Sequence, residues 1–157
     1  MKHVKSILLV VAVLLMMAFS TRDTEVSEGL LPGNRAPEIH LQGLSFDGKY
    51  TLLQFWAAYD AKSRANNLLL YNKLSGMSRE DVQMISLSFD ESLSVFEETV
   101  KADKLESTLQ FNVPMGNDSK VFHTYHLERG LSNLLIDTDG IIVAVDISPD
   151  EIDHYLK

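Results

Sequence analysis

The chain of 157 residues contains no cysteine. That absence excludes thiolate zinc sites, iron–sulfur clusters and every mechanism that needs a cysteine nucleophile. It also excludes disulfides, so the hydrophobic core must stabilise the fold alone. Positive charge is scarce as well, with 14 Lys and Arg against 22 Asp and Glu and a formal net charge of −8. An acidic surface repels phosphate backbones and anionic lipid, so nucleic acid is not an expected partner. Internal repeats and low-complexity tracts are absent. Long apolar runs are absent too. The run from Ile7 to Phe19 falls short of the roughly 20 residues needed to span a bilayer.

That short run has a different meaning. Lys2, His3 and Lys5 precede it, and Ala18 and Ser20 lie three and one positions before Thr21. A basic start, a short apolar stretch and small residues at a cleavage point make residues 1–20 an expected secretory signal peptide. An uncleaved anchor is the alternative. No cysteine follows the run, so the lipid-attachment signal of bacterial lipoproteins is missing. Cleavage would leave no membrane span and would remove Lys2 and Lys5, making the chain more acidic. Residues 21–34, punctuated by Gly29, Pro32 and Gly33, read as a flexible leader. Residues 35–157 suit one domain with a real core.

Within that domain the signals alternate. "KYTLLQFWA" (49–57), bounded by Asp47-Gly48, reads as a buried strand, and residues 62–76 as a helix stopped at Gly76. "VQMISLSF" (82–89) reads as a second strand, so the first two strands are expected to be parallel in a βαβ unit. Ser94 with Glu97 forms a capping-box pattern for a helix to Lys104. "TLQFNV" (108–113) suits a short strand, and residues 118–127 a short helix. "SNLLID" (132–137) and "IIVAVDI" (141–147) flank Thr138-Asp139-Gly140 and predict an antiparallel hairpin. Ser148, Pro149 and Glu151 occupy N-cap, first-turn and N3 positions of a last helix. The expected architecture is α/β, a mixed sheet of four or five strands with helices on both faces.

The order and several segments resemble the thioredoxin-like superfamily, specifically the redoxin and envelope thiol–disulfide oxidoreductase branch. "NRAPEIHLQGL" (34–44) resembles its lead-in segment, with Ala36-Pro37 in the usual place, and "GKYTLLQFWAAYDAKSR" (48–64) its central strand and active-site turn. "ISLSFDES" (85–92) is similar to the strand after the first helix, and "LSNLLIDTDGIIVA" (131–144) to the hairpin that usually begins with a cis-proline. The resemblance implies the thioredoxin fold. It also places Asp60 and Ser63 at the two cysteine positions, Tyr59 before them, and Leu131 at the cis-proline position. A cis bond there would cost about 2.5–4 kcal/mol without proline, so a trans peptide is expected. Thiol–disulfide exchange is excluded, since it needs an attacking thiolate.

The candidate residues divide by chemistry. At a helix N-terminus Asp60 is an anion in a favourable field and a good N-cap, accepting from the N–H of residue 62 or 63. The same field weakens it as a general base. Ser63 beside Lys62 lacks a geometry for nucleophile and base, because adjacent helical residues diverge. His123 and His126 at helical spacing could share a metal, with Asp118 or Glu128 as a third ligand, but an exposed structural pair is the plainer reading. Asp137 and Asp139 fit turn chemistry. No cofactor is expected. The resemblance implies that Trp56, Tyr59, Asp60, Ser63, Gly130 and Leu131 mark a polypeptide-binding face, although Trp56 also continues the apolar strand as a core residue. The reading that follows is a non-catalytic protein-binding or accessory module of the bacterial envelope with an unidentified protein client. The alternatives are a regulatory partner of a cysteine-containing oxidoreductase, or an enzyme of non-thiol chemistry using Asp60, His123 or His126.

Overall fold

The computed structural model describes residues 29–156 apart from 42, 43, 45, 47 and 106–108. The expected signal peptide and the leader as far as residue 28 lie outside the described residues. Five strands form one sheet: β1 (Tyr50–Trp56), β2 (Val82–Ser88), β3 (Gln110–Asn112), β4 (Asn133–Ile136) and β5 (Ile142–Val145). Their order is β3-β2-β1-β4-β5. β1 and β2 are parallel, as are β2 and β3, whereas β4 runs antiparallel to both β1 and β5. This is the mixed sheet expected from the sequence.

The alternation of side chains along β1 divides the core in two. Leu53 and Phe55 join Ile85, Leu87, Leu134 and Ile136 on one face, closed by Tyr125 and Leu127. Leu52 joins Met84, Leu135 and Ala144 on the other, closed by Leu70, Ile152 and Leu156. The register explains the split, since Leu53 pairs with Ile85 and Leu134 while Leu52 pairs with Met84 and Leu135. A central strand flanked on both faces is buried along nearly its whole length, which is why β1 reads as an unbroken apolar run.

Helix α1 (Ala61–Ser75) crosses from β1 to β2 and docks through Ser63, Asn67 and Leu70. Two of those three are polar. Asn67 Oδ1 accepts from Ser86 Oγ at 2.6 Å, so the contact under the first half of α1 is a hydrogen bond rather than an apolar ridge. Helix α2 (Leu93–Ala102) follows β2 and packs Phe96 against Trp56, ring centroids 6.2 Å apart. Bidentate bonds from Arg64 to Asp103, at 2.6 and 2.8 Å, tie α1 to the end of α2. The hydrogen bond to Asp103 holds the Arg64 proton still more firmly than usual.

Three helix expectations need correction. α2 starts at Leu93 with Ser92 in the cap position, so Ser94 lies inside the first turn and no capping box forms. Ser92 has the extended backbone a cap needs, but its hydroxyl bonds that of Ser94 at 2.9 Å instead of a backbone N–H. The expected helix over 118–127 is broken into a 3-10 turn (Gly116–Asp118), helix α3 (Lys120–Thr124) and a second 3-10 turn (Leu127–Arg129). His126 adopts a left-handed backbone, φ 50°, and ends the helical run. The last helix, α4, covers only Ile152–Tyr155. Its N-cap is Glu151 rather than Ser148. The expected pattern survives only as a turn before the helix, in which the Glu151 carboxylate accepts from both the N–H and the hydroxyl of Ser148 at 2.8 Å. That bonding holds the Glu151 carboxyl below its ordinary range.

The tail of the leader is tied to the domain. Gly33 N–H donates to Ile142 O and Ile142 N–H to Asn34 O, each at 2.8 Å, along the free edge of β5. The hairpin turn is held as turn chemistry requires, since Asp137 Oδ1 accepts from the N–H groups of Asp139 and Ile141.

Candidate functional site

The carboxyl ends of β1 and β2 meet the start of antiparallel β4 beside the N-terminus of α1. Ligands of open α/β sheets bind at such reversals of strand order. Asp60 is the N-cap of α1, with Oδ1 accepting from Ser63 N–H at 2.9 Å. Ser63 is buried, with 1% exposure. Its hydroxyl accepts from Ala57 N–H at 3.3 Å and donates to Asp60 O at 3.2 Å. Asp60 Oδ1 and the Ser63 hydroxyl thus both help to close the strand-to-helix turn. A carboxylate engaged as a cap and a hydroxyl locked between backbone groups form no nucleophile–base pair. Asp60→Ala is expected to cost about 0.5–2 kcal/mol, read as a lower urea midpoint with an unchanged slope.

A second carboxylate completes the turn. Asp90, just past β2 and only 3% exposed, accepts from Ala58 N–H at 3.0 Å through both oxygens and from Ser88 Oγ at 2.7 Å. Its own carbonyl accepts from Asn112 Nδ2 at 2.8 Å. Asp90 therefore couples the turn after β1 to the ends of β2 and β3. The sequence reading missed it, although it stands inside "ISLSFDES". Its bond to Ala58 spans 32 positions, which no local pattern marks.

The expected binding face is only partly a surface. Tyr59 is 63% exposed, and its hydroxyl donates to Asn117 Oδ1 at 3.1 Å. Trp56 and Ser63 are buried and lie under the face rather than on it. Trp56 ends a strand covered on both sides, so its ring points into the core. Gly130 and Leu131 line a separate open groove, without Tyr59, that includes Lys62, Arg129 and Ser132. Gly130 has φ 133° and ψ 149°, a backbone that favours glycine. The described residues contain no cis peptide, so the bond at Leu131 is trans, as expected without proline.

His123 and His126 are exposed and are not on one helix face, because the chain turns left-handed between α3 and the next 3-10 turn. His126 Nδ1 lies 3.5 Å from Glu128, while His123 sets its ring edge-on to Phe122. Among the described residues no three His, Asp or Glu side chains are grouped to hold a metal ion. No described helix is long and apolar enough to cross a membrane.

A central parallel βαβ unit, an antiparallel hairpin on the other edge and a helix start at their junction define a thioredoxin fold. Solved structures share it. A thioredoxin-like protein from Parabacteroides distasonis is 42% identical, with a TM-score of 0.78 over 83% of this chain and 97% of its own. A thiol-disulfide oxidoreductase from Bacteroides fragilis is 27% identical, with a TM-score of 0.60 over 71% of this chain and 81% of its own. The thioredoxin domain of a thiol-disulfide oxidoreductase from Bacteroides vulgatus is 22% identical, with a TM-score of 0.69 over 82% of this chain and 100% of its own. No family model and no curated protein matches. The chain belongs to the thioredoxin-like family as a member that lacks cysteine altogether.

Proposed function

We propose that this is an exported, non-catalytic member of the family, a protein-binding or accessory module of the bacterial cell envelope. The observation that carries the reading is the state of Asp60 and Ser63 at the start of α1, where Asp60 Oδ1 and the Ser63 hydroxyl are engaged in closing the turn. The turn keeps its form, and Tyr59 stands exposed on it. A scaffold maintained without a thiol fits holding a polypeptide better than oxidising one. The signal-like residues 1–20 support export, and the bacterial thiol–disulfide oxidoreductases among the neighbours fit an envelope setting.

The test is capture of a client. A photoreactive residue placed at Lys62, an exposed position between Tyr59 and Leu131, is expected to crosslink a discrete protein in intact cells. Tyr59→Ala or Leu131→Asp should reduce that product at least several-fold while leaving the circular dichroism spectrum unchanged. Equal yields from both variants would remove this face as the binding site.

A further inference from the structure

One edge of the site combines apolar exposure with negative charge. Beside the turn after β1 lies an open groove walled by Tyr59, Phe89, Asp90, Glu91, Val95 and Asn117. Tyr59, Leu93, Val95 and Met115 are among the large apolar side chains that the described part of the chain exposes. Two of them line the groove, and the other two adjoin Ser92, which also lines it, and Gly116. The walls are fixed. Tyr59 is bonded to Asn117, and a Cβ at Gly116 would sit 2.8 Å from Phe89 O and 3.4 Å from Glu91 Cγ, so that loop is pressed against the groove wall.

The charges in this groove are all of one sign. Among the described residues Asp90 and Glu91 are its only ionisable side chains apart from the Tyr59 phenol. Asp90 is almost wholly buried, yet among the described residues it forms no ion pair with Lys, Arg or His. Arg64 feels its field, but that guanidinium is committed to Asp103. Two carboxylate oxygens offer about four lone-pair directions, and Ala58 N–H and Ser88 Oγ do not use all of them. A carboxylate with lone pairs to spare binds an incoming cation through charge-assisted hydrogen bonds, which are stronger than neutral ones. Tyr59 adds an aromatic ring beside the position that such a cation would take.

The geometry points to a docking site for a basic side chain, an arginine or lysine of the partner polypeptide, flanked by an aliphatic residue. The cationic head meets Glu91 and Asp90, and the aliphatic neighbour rests on Tyr59 and Val95. This names the chemistry of the client and rests on the protein-binding reading above. It places recognition of the basic side chain on the Asp90–Glu91 side of Tyr59 and leaves the groove at Leu131, whose rim carries Lys62 and Arg129, to the rest of the client.

The probe is an acetylated, amidated octapeptide with one arginine between leucines, and the same peptide with citrulline, which keeps the shape and loses the charge. Titrated into the isotopically labelled full domain, the arginine peptide is expected to shift the amide resonances of Ala58, Tyr59, Glu91, Ser92 and Asn117. The citrulline peptide should bind at least fivefold more weakly. Glu91→Gln, at an exposed position, should weaken the arginine peptide at least threefold without altering the fold. Asp90→Asn should weaken it further, and Glu91→Gln keeps the test decisive if that variant unfolds. Equal binding of the two peptides, shifts confined to Leu131 and Ser132, or no binding at millimolar peptide would each overturn the assignment. Capture of a client at Lys62 together with equal peptide binding would sink this inference alone. Arginine-selective binding here without any captured client would sink only the client-holding reading.

Discussion

Asp60→Cys with Ser63→Cys is expected to give the chain a redox activity it lacks. The two positions are an N-cap and the third residue of α1, with the first side chain accepting from the backbone N–H of the second residue. A thiol at position 60 would enter the field of unpaired N–H groups that stabilises a thiolate. A thiol at position 63 would lie beneath it, where the hydroxyl now sits between Ala57 N–H and Asp60 O. Air oxidation should therefore close an intrachain disulfide, seen by mass spectrometry as the loss of two alkylatable thiols. Insulin reduction should rise from none to a measurable rate, and neither single variant should turn over. The loop-entropy relation gives such a short ring roughly 2 kcal/mol of stabilisation. Loss of the carboxylate cap offsets about 0.5–2 kcal/mol of that. The oxidised double variant should then unfold near the parent's midpoint and the reduced one earlier. Two thiols that stay alkylatable under oxidised glutathione would show that the turn no longer holds the spacing its relatives use. Leu131 lies in a trans peptide, so turnover is expected to stay below that of a member with the cis-proline.

The parts of the fold legible in the sequence are those set by local pattern. β1 reads as an apolar run because it is covered on both faces, and the Thr138-Asp139-Gly140 turn announces the β4–β5 hairpin. The cap at Asp60 was legible for the same reason, since capping is a three-residue event. What escaped depends on bonds between distant segments or on a single backbone angle. Asp90 reaches Ala58 across the sheet, and no periodicity marks a buried carboxylate whose partners are backbone and hydroxyl. The polar stripe of Ser63 and Asn67 under α1 gives a helix pattern with little apolar contrast, because Ser86 meets Asn67 by a hydrogen bond. The histidine pair looked like a metal candidate through its spacing alone, and the left-handed backbone at His126 takes the two off a common helix face. Trp56 carried two readings in the sequence, core and surface, and the structure decides for core.

Trp56→Ala is expected to be the most damaging single substitution near the site, and Trp56→Phe shows why. The indole is fully buried at the end of β1, against Phe96 of α2. Truncation to alanine removes that contact and opens a cavity bounded by β1, α1 and α2, at a cost of about 3–5 kcal/mol. For a domain with a total stability of roughly 5–15 kcal/mol this removes from about a fifth to the whole of the margin. Trp56→Phe leaves a smaller void and also removes an N–H that has no hydrogen-bond partner among the described residues, where Trp56 Nε1 is buried. An unsatisfied buried donor carries a desolvation penalty of about 1–3 kcal/mol, so its removal offsets much of the lost packing. The phenylalanine variant should therefore fall within about 1.5 kcal/mol of the parent, as near-conservative core swaps do. This is the chain's one tryptophan, so far-ultraviolet circular dichroism rather than fluorescence must follow the urea transition. A phenylalanine variant as weak as the alanine one would mean that Nε1 does have a partner.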